Sequence, residues 1–349
     1  MCPVDYANPL HLIVDVPPYT SVPTATPAVP RESAVLVMTK DHTDRLPTTL
    51  PKVSSLPCPV VLIDDSTSTE SRARGRRLAQ RLGVIYHGRE AQAALLGKVD
   101  NALAQGFVGR LGTPGWTLGL CRNYSLLLAA ASGYEQFVLM DDDITLPSND
   151  LLARTLNLAR EFDFVGARTV GLADDSVVGH IARRLGVQQY DFVTGQYLGV
   201  RARLQPSCFP NEYNEDLIFL LLGAGPRRIA RYGTVRQLHQ GVRTLGIERA
   251  LSQEVGEVHC EGCIQATVEG RHDSLTDPGF WSRILAFRWE CLADLVARDQ
   301  EYGGSVFTPI LDRVLDRSRG LTAQLFASFY RSYFEKLPRW KELQAAVAH

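Results

Sequence analysis

The apolar run Phe137-Val138-Leu139-Met140 ends in three consecutive carboxylates, Asp141-Asp142-Asp143, and this juncture constrains the chain more than any other. A short run that is apolar on both faces reads as a strand buried in a sheet. In open α/β sheets, ligands collect beyond the carboxyl ends of such strands. Side chains alternate along an extended chain, so Asp141 and Asp143 are expected to point the same way and Asp142 the other. Two carboxylates converging at a sheet edge repel each other unless a cation lies between them, and all-oxygen donors suit a hard divalent ion such as Mg²⁺ or Mn²⁺. For an isolated acid triplet a solvated turn is the plainer reading, since charged residues are mostly exposed. The neighbouring segments decide between the two.

The same pattern recurs upstream. Ala34-Val35-Leu36-Val37-Met38 runs into Thr39-Lys40-Asp41, and Val60-Val61-Leu62-Ile63 runs into Asp64-Asp65-Ser66. A helix is expected from about Ser71 to Leu82, then a strand at Val84-Ile85-Tyr86, a helix over 119–132 and the strand at Phe137. Strands alternating with helices predict βαβ units and a mostly parallel, Rossmann-like sheet flanked by helices. In a parallel sheet the strand ends share one edge, so three polar clusters would converge on one crevice. Beyond about residue 275 the spacing turns helical, over 281–299, 305–317 and 321–347, with Pro309 and Pro338 marking starts or breaks. Residues 1–33, with Pro17-Pro18, Pro23, Pro27 and Pro30, cannot form a helix interior or a central strand. The expected organisation is therefore an N-terminal extension over 1–33, an α/β catalytic domain over 34–275 and a helical C-terminal region over 276–349.

Bulk properties narrow the function classes. A chain of 349 residues can hold one large α/β domain with appendages. Its net charge of −1 argues against a protein held to nucleic acid or anionic lipid by bulk charge. Only five of its 37 lysines and arginines are lysine, a bias of the kind a GC-rich bacterial genome produces. Seven cysteines at 2, 58, 121, 208, 260, 263 and 291 form no regular framework, and the odd count suggests reduced thiols and a cytoplasmic protein. No stretch approaches 18 uncharged apolar residues, and no basic region precedes an apolar one near residue 1, so neither a membrane span nor a secretory signal is expected.

The order of these motifs resembles a nucleotide-sugar glycosyltransferase of the GT-A fold, most similar to the inverting family 2 group. The resemblance rests on Asp64-Asp65-Ser66 after a strand, on Gly119-Leu120-Cys121-Arg122-Asn123 opening a helix, and on the strand that ends in Asp141-Asp142-Asp143. It continues through Phe192-Val193-Thr194-Gly195-Gln196-Tyr197, like that family's acceptor-side segment, and Phe209-Pro210-Asn211-Glu212-Tyr213-Asn214-Glu215-Asp216, like its Glu-Asp catalytic segment. His239 falls where many members carry a late metal-binding histidine. The resemblance spans roughly residues 34–245.

It implies a metal-dependent, hexosyltransferase-type enzyme using Mn²⁺ or Mg²⁺. Such an enzyme moves a sugar from a nucleoside diphosphate sugar to an acceptor nucleophile whose identity stays open, with inversion. Asp65 or Asp64 would meet the nucleotide base with Thr39 nearby. Asp141 would meet the ribose, a metal-bound water or the metal; Asp143, with His239, would hold the metal. Asp216, or else Glu215, would be the general base. Each role has a plainer rival. Asp64 and Asp65 could cap the following helix, Glu215-Asp216 could be acids favoured at a helix start, and Arg122 could hold the donor diphosphate or a structural salt bridge. The rivals to the whole reading are a retaining GT-A enzyme, a sugar-nucleotide pyrophosphorylase and a non-catalytic nucleotide-sugar-binding protein. Thr39-Lys40-Asp41-His42 has no glycine where a pyrophosphorylase carries its glycine-rich loop, which counts against that one.

Three further features are weaker. His259-Cys260-Glu261-Gly262-Cys263, followed by His272, has zinc-like spacing but only one cysteine pair. Arg72, Arg74, Arg76 and Arg77 read as a solvated helix face, because no aromatics interleave them. The aromatic stretch Leu325–Phe334 reads as core packing or a homo-oligomer contact between C-terminal helices.

Overall fold

The computed structural model describes residues 12–17, 28–96, 118–170, 176–187, 192–202, 205–223, 228–238, 246–301 and 307–348. Among them, nine strands form one sheet: β1 (Ile13–Asp15), β2 (Ser33–Thr39), β3 (Val60–Asp64), β4 (Ile85–His87), β5 (Gln136–Asp141), β6 (Ile144–Thr145), β7 (Phe164–Val170), β8 (Tyr197–Arg201) and β9 (Ile229–Gln237). The order is β1-β9-β7-β8-β5-β2-β3-β4, with β6 paired to β9. The sheet is mostly parallel. β8 runs against both β5 and β7, and β6 runs against β9. The expected strands and helices are all present, with ends shifted by a few residues at most.

β2 is buried on both faces, and its alternation splits the core into two layers. Ala34, Leu36 and Met38 pack with Tyr124, Leu127 and Leu128 of the helix Leu118–Ala131. Val35 and Val37 pack with Leu46 and Leu50 of the helix Leu46–Val53 and with Leu152 and Leu156 of the helix Asn149–Leu158. This double coverage is what a parallel strand rich in branched apolar residues requires. Ile13–Asp15 is an outer strand on β9.

The C-terminal helices are Pro278–Glu301, Thr308–Arg319 and Ala323–Val347. Pro309 stands at the start of its helix, whereas Pro338 lies inside a continuous one. The long helix Ile247–Val268 joins this layer. Its Val255, Val258, Cys263 and Ala266 pack against Trp281, Phe326 and Tyr330. Phe326, Tyr330 and Tyr333 are buried within their own chain, so their apolar faces are already covered. Cys58, Cys121, Cys208, Cys260 and Cys263 are free thiols, but Cys291 is disulfide-bonded. The expectation of reduced thiols therefore fails at Cys291, because an odd count forbids complete pairing without forbidding one bridge. No helix among the described residues is long and apolar enough to cross a membrane.

Candidate active site at the carboxyl edge of the sheet

Strand register brings the polar clusters together. Thr39 lies opposite Asp64 and Met38 opposite Asp141, so β2, β3 and β5 release their acids at one edge. β8 enters from the other direction, and its preceding Gln196 carbonyl accepts the Asp141 N–H at 2.9 Å. Gly195, Gln196 and the acid triplet are thereby neighbours.

The first two clusters divide their residues between structure and surface. Asp64 is fully buried. It accepts the Ser66 N–H at 2.9 Å and the Tyr86 hydroxyl at 2.9 Å. Its neighbour Asp65 faces the edge, 3.1 Å from Arg89 Nε and 3.8 Å from Lys40 Nζ. Asp41 sits in the left-handed region at φ 58° and accepts the N–H groups of Thr67 and Ser68, each at 2.9 Å. Burial opposes its ionisation, but these bonds and the Thr67 hydroxyl outweigh burial and hold its carboxyl below the usual range. Asp41 thus shapes the loop that presents Asp65.

The acid triplet departs from the expected alternation. β5 ends at Asp141 and residues 142–143 form a turn into β6, so the two-residue period stops where the acids begin. Asp141 turns toward Arg122, with Oδ2 3.5 Å from Nη2. Asp142 and Asp143 instead share Arg45, whose Nη1 stands 3.6 Å from each. Asp142 accepts the Thr39 hydroxyl at 2.5 Å, and Asp143 accepts Gln237 Nε2 at 3.2 Å. The Asp142 carboxyl is pushed up to about 7, chiefly by burial and further by the charge of Asp143, with Thr39 and Arg45 opposing. Thr39 is buried and committed to this bond.

A second acid cluster surrounds Arg122, from the helix Leu118–Ala131. Its side chain is 2% exposed and lies 2.5 Å from Glu215, 3.5 Å from Asp141 and 3.9 Å from Asp216. Glu215 and Asp216 begin the helix Glu215–Gly223, where backbone N–H groups favour negative charge. Asp216 also accepts the Gly195 N–H at 2.5 Å. A methyl group on Gly195 would fall 2.5 Å from Arg122 Nη1 and 2.7 Å from Asp216 Cβ, so glycine is required for this approach. The Asp216 side chain is 14% exposed against 3% for Glu215, making Asp216 the more accessible of the pair. Upstream, Glu212 is fully buried with neither carboxyl oxygen hydrogen-bonded; burial and the charge of Glu215 push it up to about 8.

His239 lies outside the described residues. Among those described, no three His, Cys, Asp or Glu side chains are grouped to hold a metal. The edge nonetheless fits a hard cation. Two carboxylates, Asp142 and Asp143, face one positive centre, and Mg²⁺ is commonly held by one or two carboxylates with phosphate and water completing its shell. The Cys260/Cys263 segment fits a metal poorly. Both thiols lie inside a helix, and Cys263 Sγ and His259 Nδ1 both contact the Tyr330 hydroxyl, at 2.9 and 3.2 Å. His272 contacts the Thr267 hydroxyl at 3.0 Å instead.

Arg45, Arg89 and Gln237 join the site without any motif to announce them, and Glu212 joins it from within the Phe209–Asp216 segment without having been singled out there. Arg45 immediately precedes the helix Leu46–Val53, and only the fold brings it to acids almost a hundred residues away.

No protein-family model matches the chain, and no curated protein matches its sequence. Solved structures resemble it at low identity. Glucosyl-3-phosphoglycerate synthase from Mycobacterium tuberculosis, in complex with Mn²⁺, UDP and glucosyl-3-phosphoglycerate, is 15% identical with a TM-score of 0.43, covering 65% of this chain and 79% of that one. The mannosyltransferase PcManGT from Pyrobaculum calidifontis, in complex with GDP-Man and Mn²⁺, is 14% identical with a TM-score of 0.43, covering 95% of this chain and 88% of that one.

Proposed function

We propose that this edge is the donor site of a GT-A-type glycosyltransferase that uses Mn²⁺ or Mg²⁺ and transfers a hexosyl group from a nucleoside diphosphate sugar. The observation that carries the reading is the convergence of Asp65, Asp141 and the Asp142–Asp143 pair on one sheet edge, beside Asp216 at a helix start. Asp65, flanked by Lys40 and Arg89, meets the nucleotide, with Asp64 and Thr39 buried behind it. Asp143 is the primary metal ligand, with Asp141 as the ribose, water or second metal contact and His239 as a further ligand. Bound there, the metal supplies Lewis-acid neutralisation of the charge that builds on the leaving diphosphate. Arg122 holds Asp141, Glu215 and Asp216 in place. Asp216 takes the proton of the acceptor hydroxyl as that oxygen attacks the anomeric carbon, a single displacement that inverts it. The soluble, cytoplasmic setting and the division at residues 33 and 275 belong to the same reading.

A thermal-shift screen of nucleoside diphosphates with and without Mn²⁺ tests it. The matching nucleotide at a hundredfold excess over its dissociation constant stabilises by about 2.7 kcal/mol. That gain should vanish in Asp143→Ala; undiminished transfer in excess chelator would sink the metal assignment. Asp216→Asn should keep donor binding and lose transfer, and a retained anomeric configuration by NMR would overturn the inverting displacement.

A further inference from the structure

Three arginines stand at this edge, and Arg45 alone among them is not closely paired: Arg89 lies 3.1 Å from Asp65. Arg122 lies 2.5 Å from its carboxylate, and Arg228, Arg231 and Arg288 approach theirs to 2.9, 2.7 and 2.6 Å. Arg45 stands 3.6 Å from both Asp142 and Asp143, beyond hydrogen-bond reach. It contributes charge to these acids without orienting them. Neutral donors bind both acids: the Thr39 hydroxyl donates to Asp142, and Gln237 Nε2 donates to Asp143. Backbone contacts hold the turn itself, since the Asp143 carbonyl accepts the Leu238 N–H at 2.7 Å and the Asp142 carbonyl accepts the Thr49 hydroxyl at 3.1 Å. The acids would therefore keep their positions if the guanidinium left. A way out exists, because the Arg45 side chain is 19% exposed and springs from the residue just before a helix.

We infer that Arg45 is the exchangeable cation of the Asp142–Asp143 pair, neutralising it when no ion is bound and displaced when a divalent cation binds at Asp143. This rests on the metal site proposed above. A dication in contact with Asp143 and a guanidinium 3.6 Å from the same carboxylate repel each other, so the two states exclude one another. Divalent-ion affinity is then set by competition with a side chain of the same protein.

The test measures Mn²⁺ binding without nucleotide, by the EPR signal of the free ion, for wild type, Arg45→Gln and Lys40→Gln. Lys40 is a cation at the same edge that pairs with Asp65 and serves as the control for general electrostatics. Arg45→Gln should bind Mn²⁺ about tenfold more tightly, and Lys40→Gln should stay within about twofold of wild type. A second arm needs no variant: peptide mapping after phenylglyoxal treatment of wild type should find Arg45 modified faster when Mn²⁺ is added. Equal Mn²⁺ affinity in wild type and Arg45→Gln, or slower Arg45 modification with Mn²⁺, overturns the exchange and leaves the metal reading standing. Mn²⁺ binding by none of the three proteins, either alone or with the nucleoside diphosphates of the thermal-shift screen, overturns both.

Discussion

Arg122 and Arg45 gather acids at the same sheet edge and do so in opposite ways. Arg122 rises from the middle of the sheet's packing, inside a helix, and meets Glu215 at 2.5 Å with 2% of its side chain exposed. Arg45 comes from a loop, stands 3.6 Å from two acids and keeps 19% exposure. Burial accounts for the first, since a buried charge is tolerated only at close range to its partner. Exposure does not account for the second, because Arg231, also 19% exposed, pairs with Asp15 at 2.7 Å. Arg288 extends the first pattern to the helical region, with bonds of 3.0 and 2.6 Å to Glu254 and 2.7 Å to Glu261. Close pairing is thus this fold's solution for interior arginines, and Arg45 departs from it at the place where an incoming cation is proposed to bind.

The contrast is most open to attack at Arg122. Arg122→Met leaves Glu215 buried beside Glu212 without its cation, and removing one partner of a buried pair costs about 3–5 kcal/mol. Urea denaturation reads this directly. A loss below about 1 kcal/mol would place Arg122 among surface-type pairs and erase the distinction.

Glu212 sharpens the same picture through pH. Its carboxyl is raised from 4.5 to about 8, so between those values the folded state holds one proton more than the unfolded chain. Stability is fully present below the lower value and falls as pH rises through the window, by about 1.4 kcal/mol per unit at the steepest. Glu212→Gln should flatten that slope, matching wild type near pH 5 and exceeding it near pH 8. Unfolding free energies measured across this range check it, and parallel curves for the two proteins would mean that Glu212 is ionised beside Glu215.

Much of this arrangement was legible in the sequence, and the limits have physical causes. Ala34–Met38, Val60–Ile63 and Phe137–Met140 were recognisable because strands buried on both faces are apolar throughout. That their acids share an edge followed from parallel pairing. Which way each acid faces did not follow, since alternation lapses where β5 gives way to a turn after Asp141. The helix Ile247–Val268 carried no clean stripe because Gln253, Glu254 and His259 are buried on it, where they contact Val177, Arg288 and Tyr330 from distant segments. Arg45 was invisible for a related reason: its partners lie almost a hundred residues away, and no spacing rule links them.

The smallest expected effect is the most discriminating. Arg45→Gln removes a cation from two acids, yet it should change folding stability by less than about 1 kcal/mol, the usual worth of a partly exposed pair. Thr39 and Gln237 continue to hold Asp142 and Asp143. The same urea titration used for Arg122→Met measures this, at a pH well above 7 so that protonation cannot mask the effect. If Arg45→Gln costs as much there as Arg122→Met, Arg45 is a structural cation like the others and no ion displaces it. If it costs little while Arg122→Met costs several kcal/mol, the two acid clusters are built for different ends, one to stay fixed and one to exchange its cation.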